Sequence, residues 1–361
     1  MIYRECGVYA STYAADMRLL PLPLTRATMA GCAVLFFLIF PLAANDYFLN
    51  IANLVFIAVV GAIGLNLLVG YTGQVSIGHG AFIAVGAYAG AIVVTRAGMP
   101  FWIALPFGGL VAAAVGAFFG IPSLRIKGLY LAIATLAAQF IIEWLIIHVT
   151  WISGGAEATI TVPKAAFGTW VLNTLREQYY LNLVIVSLAI VFAMNLVRSP
   201  VGRAFIAIRD RDVAAEIIGI SLFRYKLLAF AVSSFYAGVT GVLYAHYLGV
   251  ANYEQFDLAT TVDFLAMIII GGLGSILGSI FGAIFITVLP MVLRAVADVV
   301  GSGVLLIFPT ANVSYVVQSI TAIKLILFGV LIIVFLILEP DGLNKLWRNI
   351  RDYFRVWPFS Y

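Results

Sequence analysis

Long apolar runs separated by short polar segments make up most of this chain. At roughly 20 apolar residues per membrane crossing, the pattern predicts ten spanning helices. We place them near residues 28–44, 51–70, 77–95, 101–121, 128–149, 180–197, 225–248, 260–276, 279–297 and 319–338. The shorter ones need cover from neighbouring protein, because hydrocarbon offers no partner to a free backbone polar group. The predicted fold class is an all-α polytopic membrane protein.

Two further apolar stretches need a separate interpretation. Residues 298–318 are broken by Gly301, Gly303 and Pro309, so we predict an external loop with a short surface helix instead of an eleventh span. The first apolar run follows a charged segment, residues 1–27, and is longer than the roughly 7 to 15 residues of a signal-peptide core. We therefore predict an uncleaved first span.

The distribution of basic residues sets the expected orientation. With the amino terminus in the cytoplasm, the loop of Arg125 and Lys127, the polar segment 198–224 and the tail 339–361 all fall on the cytoplasmic side. The loop at about 150–179 then falls outside. This arrangement satisfies the positive-inside rule, and it places both the amino and the carboxyl terminus, which flank the transmembrane region 28–338, in the cytoplasm.

Composition excludes a soluble fold. Hydrophobic residues make up 63% of the chain and charged residues only 10%, and the mean hydropathy is +1.10. Soluble domains carry about 25% charged residues. The net charge of +4 lies in short loops between spans, so it does not indicate a nucleic-acid surface. Cys6 and Cys32 form neither a disulfide framework nor a metal-ligand spacing.

A glycine-rich segment, residues 61–90, interrupts the apolar pattern. Glycines crowd a predicted cytoplasmic turn that is too polar to face lipid. Polar groups at such depth are costly unless they are paired or hydrated, so we consider them candidates for a transport path. The same holds for two serines in GGLGSILGSIFGA. The path candidates are Asn66, Gln74, Ser76, His79, Ser275 and Ser279.

Other glycines are better explained by close packing of helices. They form small-xxx-small pairs, which let two helix backbones approach each other. The packing candidates are Gly86, Gly90, Gly274, Gly278 and Gly282. The two glycine-rich regions do not form an inverted repeat, because both turns are predicted on the same side of the membrane. Asp263 lies near a span end, where a charge is inexpensive.

No catalytic constellation is present in the sequence. HExxH and GxSxG are absent, and Glu143 and His148 are not on one helical face. The phosphate-binding pattern GxxxxGK[ST] is absent as well, so if ATP drives this protein, another chain binds it. We predict no enzyme activity, no cofactor and no metal site.

Several runs together resemble the LivM-type permeases of bacterial branched-chain amino-acid ABC importers. They are NLLVGYTGQVSIGHGAFIAVGAYAGA, LRIKGLYLAIATLA, SPVGRAFIAIRDRDVAAEIIGI, IIIGGLGSILGSIFGA and EPDGL, in that order along the chain. The resemblance implies an inner-membrane subunit that pairs with a LivH-like second permease, two ATP-binding subunits and a periplasmic substrate-binding protein.

The resemblance also assigns a role to the polar segment 198–224. Its amphipathic part, about 203–219, corresponds to the family's coupling helix, which seats in a groove of the ATPase. Small residues would let the helix seat, and charged residues would make polar contacts. The implied coupling residues are Arg203, Arg209, Asp210, Ala214, Ala215, Glu216 and Gly219. The alternative is a solvated loop whose arginines only fix topology.

The chain departs from the family pattern in two places. Members commonly continue TLAFGEI where this chain has TLAAQFIIEW, from Thr135 to Trp144, and WISGGAEATITVP replaces a glycine-rich external segment. Branched-chain amino acids are the expected substrates. Urea, short amides, other amino acids and small organic acids are alternatives within the same transporter class, and a secondary transporter is a more distant one.

Overall fold

The structure, a computed structural model, describes residues 34–123, 129–153, 158–167, 170–307 and 342–356, with isolated positions 11–12, 31, 326, 329–330, 333–334 and 337. A π-helical stretch, Leu35–Ile39, leads into the first α-helix. The α-helices are α1 (Phe40–Ala43), α2 (Asp46–Thr72), α3 (His79–Ala97), α4 (Phe101–Ser123), α5 (Leu129–His148), α6 (Thr150–Ser153), α7 (Leu175–Arg198), α8 (Pro200–Asp210), α9 (Asp212–Ile217), α10 (Leu222–Leu248), α11 (Leu258–Gly271), α12 (Ile276–Ile307) and α13 (Leu343–Val356).

The predicted fold class is confirmed: this is an all-α polytopic membrane protein. Within the described residues, six helices are long and apolar enough to cross a membrane, namely α2, α3, α4, α5, α7 and α10. Each lies close to a predicted span. Residues 34–44 of the predicted span at 28–44 are described and include the π-helical stretch and α1, whereas most of the predicted span at 319–338 lies outside the described residues.

Helix α12 corrects the prediction for residues 298–318. The span was expected to end at 297 and an external loop to follow, whereas α12 continues without interruption to Ile307. Gly301 and Gly303 do not break it. A glycine inside an apolar helix weakens it, but leaving the helix would strand backbone groups without partners. Residues 308–318 lie outside the described part.

Helix α7 begins earlier than the predicted span at 180–197. It starts at Leu175 because Thr174 and Glu177 form a capping box: the Thr174 hydroxyl accepts from the Glu177 N–H, and the Glu177 carboxylate accepts from the Thr174 N–H. The first turn of this helix therefore belongs to the segment that was predicted as external loop.

Helix α10 lies at the centre of the described bundle, where α2, α3 and α4 all pack against it. The backbones of α3 and α10 touch where these two helices cross. A Cβ at Gly86 would lie 2.2 Å from the Gly238 Cα, and one at Gly241 would lie 2.0 Å from the Ile83 carbonyl oxygen. Only glycine fits these positions, so dispersion contacts between backbones hold α3 against α10.

At the Asp46 end of α2, two short antiparallel strand pairs cover the helices. β1 (Thr159–Thr161) pairs with β4 (Val250–Asn252), and β2 (Ala166–Phe167) pairs with β3 (Trp170–Val171). The Tyr88 hydroxyl, on α3, donates to the carbonyl of Ala158 just before β1. The segment predicted as a plain loop at about 150–179 is thus partly strand.

At the other end of the bundle, the amphipathic helix α13 packs against α11 and α12. Its Trp347 ring lies 5.8 Å from that of Phe281, between ring centroids. We call this end, which also holds Thr72, Gly274 and Arg209, the Arg209 end of the bundle.

The close contact between α3 and α10 predicts that no side chain larger than that of glycine fits at position 86. Gly86→Ala would place a methyl group against the Gly238 backbone, which cannot rotate away. We therefore expect the free energy of unfolding to fall by about 1–3 kcal/mol. The check is the thermal unfolding midpoint in detergent. Ala114→Val, at an exposed position on α4, is the control and should leave the midpoint unchanged. Equal midpoints for Gly86→Ala and the wild type would contradict this packing.

Candidate functional site

The segment between α2 and α3 turns back into the bundle. Helix α2 ends at Thr72, followed by Gly73 with a φ of 70°. Helix α3 begins at His79, whose Nε2 lies 3.1 Å from the carbonyl oxygen of Gly61. Gly61 precedes the end of α2 by 11 residues, which is about 16 Å of helix at about 1.5 Å per residue. Helix α3 therefore starts deep in the bundle, about halfway along α2.

This geometry shows an extended segment where a turn was predicted, and the cytoplasmic side of that segment stays a prediction. Residues 73–78 form an extended segment that runs beside α2. Its first residues alternate between exposed and buried positions: Gly73 and Val75 are exposed, whereas Gln74 and Ser76 are buried. Such a period of two is typical of extended backbone. One edge of the segment faces the protein and the other faces outward.

Side chains from α5 and α11 satisfy the backbone where α3 begins. The Thr135 hydroxyl accepts from the Ile77 N–H (2.9 Å), and the Gln139 Oε1 accepts from the Ala81 N–H (2.7 Å). The Thr261 hydroxyl accepts from the Gly80 N–H (2.8 Å). Without these acceptors the first N–H groups of the helix would be unpaired inside the protein. The break between α2 and α3 depends on three distant polar residues.

The sequence analysis missed these three residues as a group. Thr135 and Gln139 lie within the stretch that departs from the family pattern, and their i, i+4 spacing places them on one face of α5. Polar residues one turn apart in an apolar helix are a signal that could have indicated a buried partner.

The structure places the other polar path candidates of this segment inside the protein. His79 is buried, and its ring lies 5.4 Å from the Phe264 ring, between centroids. The Gln74 side-chain amide donates to the Thr72 hydroxyl at 2.9 Å, and the Ser76 hydroxyl accepts from the Gly78 N–H at 3.4 Å. These groups stabilise the extended segment.

Asn66 joins the remaining candidates into one hydrogen-bonded cluster. Its Nδ2 donates to the Ser275 carbonyl (2.8 Å) and to the Ser279 hydroxyl (2.7 Å), and its Oδ1 accepts from the Gly274 N–H (2.9 Å). The amide thereby holds the turn between α11 and α12 against α2. Asn66 and the two serines therefore contact one another, and their place on a transport path stays a prediction.

The two glycine-rich turns meet at the Arg209 end. A Cβ at Gly70 would lie 2.3 Å from the Gly274 nitrogen, and Gly274 itself has a φ of 75°, which favours glycine. This agrees with the expectation that both turns lie on the same side. Gly278 and Gly282 continue the close approach, since a Cβ at either would collide with the backbone of α11.

Arg209, on α8, connects the polar segment to both turns. Its Nη1 donates to the Gly70 carbonyl at 3.0 Å, and its Nη2 lies 3.1 Å from Asp210 Oδ1. Its Cγ lies 3.2 Å from where a Cβ of Gly73 would be, and its Nη1 lies 2.8 Å from the corresponding position at Gly274. The Arg209 side chain therefore contacts the start of the extended segment through its aliphatic part, and its guanidinium contacts the end of α2 and the turn between α11 and α12.

The polar segment is not one continuous helix from 203 to 219, as was expected. It divides into α8 and α9 at Arg211, which has extended backbone (φ −156°, ψ 99°), and α9 ends at Ile217. Gly219 has a φ of 90°, with open space where a Cβ would be, so its role here is conformational. Lys226 on α10 lies 4.0 Å from Asp212 on α9.

This break at Arg211 divides the apolar side chains of the segment between two surfaces, one buried and one exposed. Phe205 and Ile208 on α8 are buried against the bundle, at 0% and 4% exposure. Val213, Ile217 and Ile218 are exposed, at 61%, 81% and 74%. We call these last three residues the α9 patch.

The predicted coupling residues fall on both sides of the break. Ala215 is buried against its own chain and so cannot seat in a partner, whereas Ala214 and Glu216 are exposed beside the α9 patch. Arg203 is exposed as well, and its Nη1 donates to the Arg198 carbonyl at 3.1 Å. Only part of the predicted coupling face is therefore open to another protein.

Comparison with known proteins gives a consistent result. A family model described as "Branched-chain amino acid transport system / permease component" matches residues 47–336. The high-affinity branched-chain amino acid transport system permease protein LivM of Escherichia coli K12 is 36% identical over 249 residues, which are 63% of this chain and 59% of that protein. This chain thus spans less than two thirds of the length of that relative.

More distant relatives fall in the same group of transport proteins. A probable branched-chain amino acid transport permease protein LivM of Methanocaldococcus jannaschii is 27% identical over 181 residues, covering 48% of this chain and 50% of that protein. The autoinducer 2 import system permease protein LsrC of an Enterobacter strain is 26% identical over 180 residues, covering 47% and 48%. No solved structure matches the chain significantly.

The Asn66 cluster predicts a large stability effect. Asn66→Leu removes both N–H donors of the amide and leaves the partly buried Gly274 N–H without its acceptor, and an unpaired buried group costs about 1–3 kcal/mol. We expect a clear fall in the thermal unfolding midpoint in detergent. Asn195→Leu, at an exposed position of α7, is the matched control. If both variants unfold at the same temperature, the cluster does not hold the turn.

Proposed function

Because the chain belongs to the family of branched-chain amino acid transport system permease components, we propose that it is a membrane-spanning subunit of a bacterial ABC importer for branched-chain amino acids. It works with a LivH-like second permease, two ATP-binding subunits and a periplasmic binding protein that delivers the substrate. ATP is bound by the partner subunits. The protein lies in the inner membrane with both termini in the cytoplasm.

The α9 patch is the observation that supports the proposal most directly. Large apolar side chains at 61–81% exposure lie on a short polar segment rich in charge, away from the apolar spans. In a subunit that worked alone, this surface would be exposed to water, where a contiguous apolar patch is unfavourable and usually marks a protein interface. An ATP-binding subunit covers it in the proposed complex.

Arg209 supplies the route by which movement of that interface reaches the membrane region. Helix α8 is connected to the patch through Arg211. The Arg209 guanidinium contacts Gly70 and Gly274, and the Cγ of the same side chain lies beside Gly73. Displacement of α8 and α9 by the ATPase therefore displaces the start of the extended segment and the turn between α11 and α12. We propose that this shift opens the path on the cytoplasmic side.

Branched-chain amino acids are preferred as substrates because the matching family model and the two LivM relatives are named for their transport. A different small substrate within the same transporter class is the alternative. A secondary transporter would instead need coupling to an ion gradient, and uptake by this chain alone in proteoliposomes under a proton or sodium gradient would indicate that class.

Ile217→Glu tests the docking surface. A carboxylate at the centre of the α9 patch would be desolvated without a partner on binding, so we expect loss of the ATP-binding subunits on co-purification. Ile217→Leu keeps the apolar surface and should retain them. Full recovery of the ATP-binding subunits with Ile217→Glu would place the interface elsewhere.

Arg209→Gln tests the coupling route. It removes a charge-assisted hydrogen bond worth about 1.5–3 kcal/mol, enough to alter a conformational equilibrium roughly tenfold or more. We expect the assembled transporter to keep hydrolysing ATP while uptake per ATP falls about tenfold. Arg203→Gln removes an exposed arginine that donates to the nearby Arg198 carbonyl, and it should leave the ratio unchanged. An unchanged ratio for Arg209→Gln would rule out this route.

A further inference from the structure

Helix α13 (Leu343–Val356) is amphipathic, and the proposed function uses neither of its faces. Four apolar residues recur at helical spacing and lie on one side, which we call the apolar face of α13: Leu343, Leu346, Trp347 and Ile350. The helix has 14 residues, so it is about 21 Å long, whereas a hydrocarbon core is about 30 Å thick. Helix α13 is therefore too short to cross a membrane.

The apolar face is exposed. Leu346, Trp347 and Ile350 have 37%, 48% and 49% of their surface accessible. Three large apolar side chains on adjacent turns form a contiguous patch, which is unfavourable in water and usually marks an interface with a partner or a membrane. The position of α13 on the bundle and its charge indicate which of the two covers this face.

The start of α13 is fixed at the Arg209 end of the bundle. Gly342, directly before the helix, is buried and has a φ of 69°, which favours glycine. A Cβ at this position would lie 2.6 Å from the Gly272 nitrogen, at the beginning of the turn between α11 and α12. The first turn of α13 therefore cannot move far from that turn.

The apolar face lies beside a lipid-facing surface of α12. The Trp347 ring is 5.8 Å from the Phe281 ring, between centroids. Leu277, Phe281 and Ile284 share one face of α12, and Leu277 and Ile284 are exposed. In a membrane protein such a face lies toward lipid, since acyl chains are as apolar as leucine.

The depth of this contact suits a helix that lies in the membrane surface. Helix α12 begins at Ile276, so Phe281 is about 7.5 Å along its axis from the Arg209 end. An interfacial amphipathic helix inserts its apolar face about 5–10 Å into the boundary between headgroups and acyl chains. Trp347, as a tryptophan at this level, has the position that the side chain favours at membrane interfaces.

The charge of α13 complements an anionic lipid surface. Its sequence contains a single acidic residue, Asp352, and several basic ones: Lys345, Arg348, Arg351 and Arg355. Arg348 is exposed and lies on the side of the helix opposite Ile350. Guanidinium groups bind phosphate oxygens well, and each basic residue near an anionic membrane favours association about fivefold.

We propose that α13 lies in the plane of the membrane surface and binds anionic phospholipid headgroups. The apolar face inserts between acyl chains, and Arg348 binds phosphate. Because Gly342 contacts Gly272, the bound helix also holds the turn between α11 and α12 at the level of the headgroups. The inference goes beyond the proposed function, since it depends neither on the substrate nor on ATP.

The test measures which side of α13 is in lipid. The full-length chain, with Cys6 and Cys32 replaced by serine, is reconstituted without partner subunits in nanodiscs of phosphatidylglycerol. A nitroxide label is attached at Ile350→Cys or, as matched control, at the exposed Asn349→Cys next to it, which lies off the apolar face. Electron paramagnetic resonance then gives the collision rates with oxygen, which dissolves in hydrocarbon, and with a water-soluble nickel chelate.

We expect the ratio of oxygen to nickel accessibility to be about tenfold higher at position 350 than at position 349, because only the former inserts into acyl chains. Leu346→Cys is a second position on the apolar face, should the first variant fail to fold. Equal ratios on the two sides of the helix would overturn the membrane location. Protection of position 350 that appears only after ATP-binding subunits are added would also overturn it, since a protein would then cover this face.

The headgroup contact is tested by charge. With the label at position 350, Arg348→Glu should raise nickel accessibility about threefold or more in phosphatidylglycerol, and Arg348→Lys should leave it unchanged. Transfer of the labelled chain without a substitution at Arg348 to phosphatidylcholine should have the same effect as Arg348→Glu. If the label is equally protected in both lipids and with either charge at position 348, recognition of anionic headgroups is ruled out.

Discussion

A backbone polar group inside a membrane must find its partner within the protein, and the segment from Gly73 to Ala81 is where this requirement is most demanding. Helix α3 begins about halfway along α2, so its first N–H groups cannot bind water at a surface. The hydroxyls of Thr135 and Thr261 and the amide of Gln139 accept them instead. The positions of α5 and α11 relative to α3 depend on those three bonds.

Two kinds of contact hold the described bundle together: close backbone contacts between helices and hydrogen bonds made by single side chains. Where α3, α4 and α10 cross, backbones touch at Gly86, Gly108 and Gly238 and leave no room for rearrangement. At the Arg209 end, backbones also approach closely at Gly70 and Gly274, but hydrogen bonds made by single side chains, notably Arg209 and Asn66, connect the elements as well. Such bonds can exchange one acceptor for another at modest cost, whereas a backbone crossing cannot.

The sequence predicted the helices well because their apolar runs are long. The helix boundaries at α3, α4, α5 and α10 agree with the predicted spans to within a few residues. Helix α12 was predicted too short, because Gly301 and Gly303 were interpreted as breaks, although an apolar surrounding maintains a helix that water would interrupt.

The candidate site was harder to predict, because its contacts join residues that are far apart along the chain. Asn66 and His79 were recognised as unusual polar residues, but nothing in their local sequence indicates that the first binds the Ser275 turn and the second binds Gly61. The segment at about 203–219 was also expected to form one amphipathic helix, which would carry both Phe205 and Val213. A single extended residue, Arg211, turns the two in different directions.

The Asn66 amide also constrains the order in which this protein can be completed during synthesis. Its partners, Gly274 and Ser275, leave the ribosome about two hundred residues later, after α10 and α11 have been made. Until then the amide, on a helix that is otherwise almost wholly apolar, has no partner from this turn. The end of α2 that carries Asn66 therefore reaches its final packing only after most of the chain has been inserted. The strand pair β1–β4 likewise forms only after the residues that follow α10 have been made.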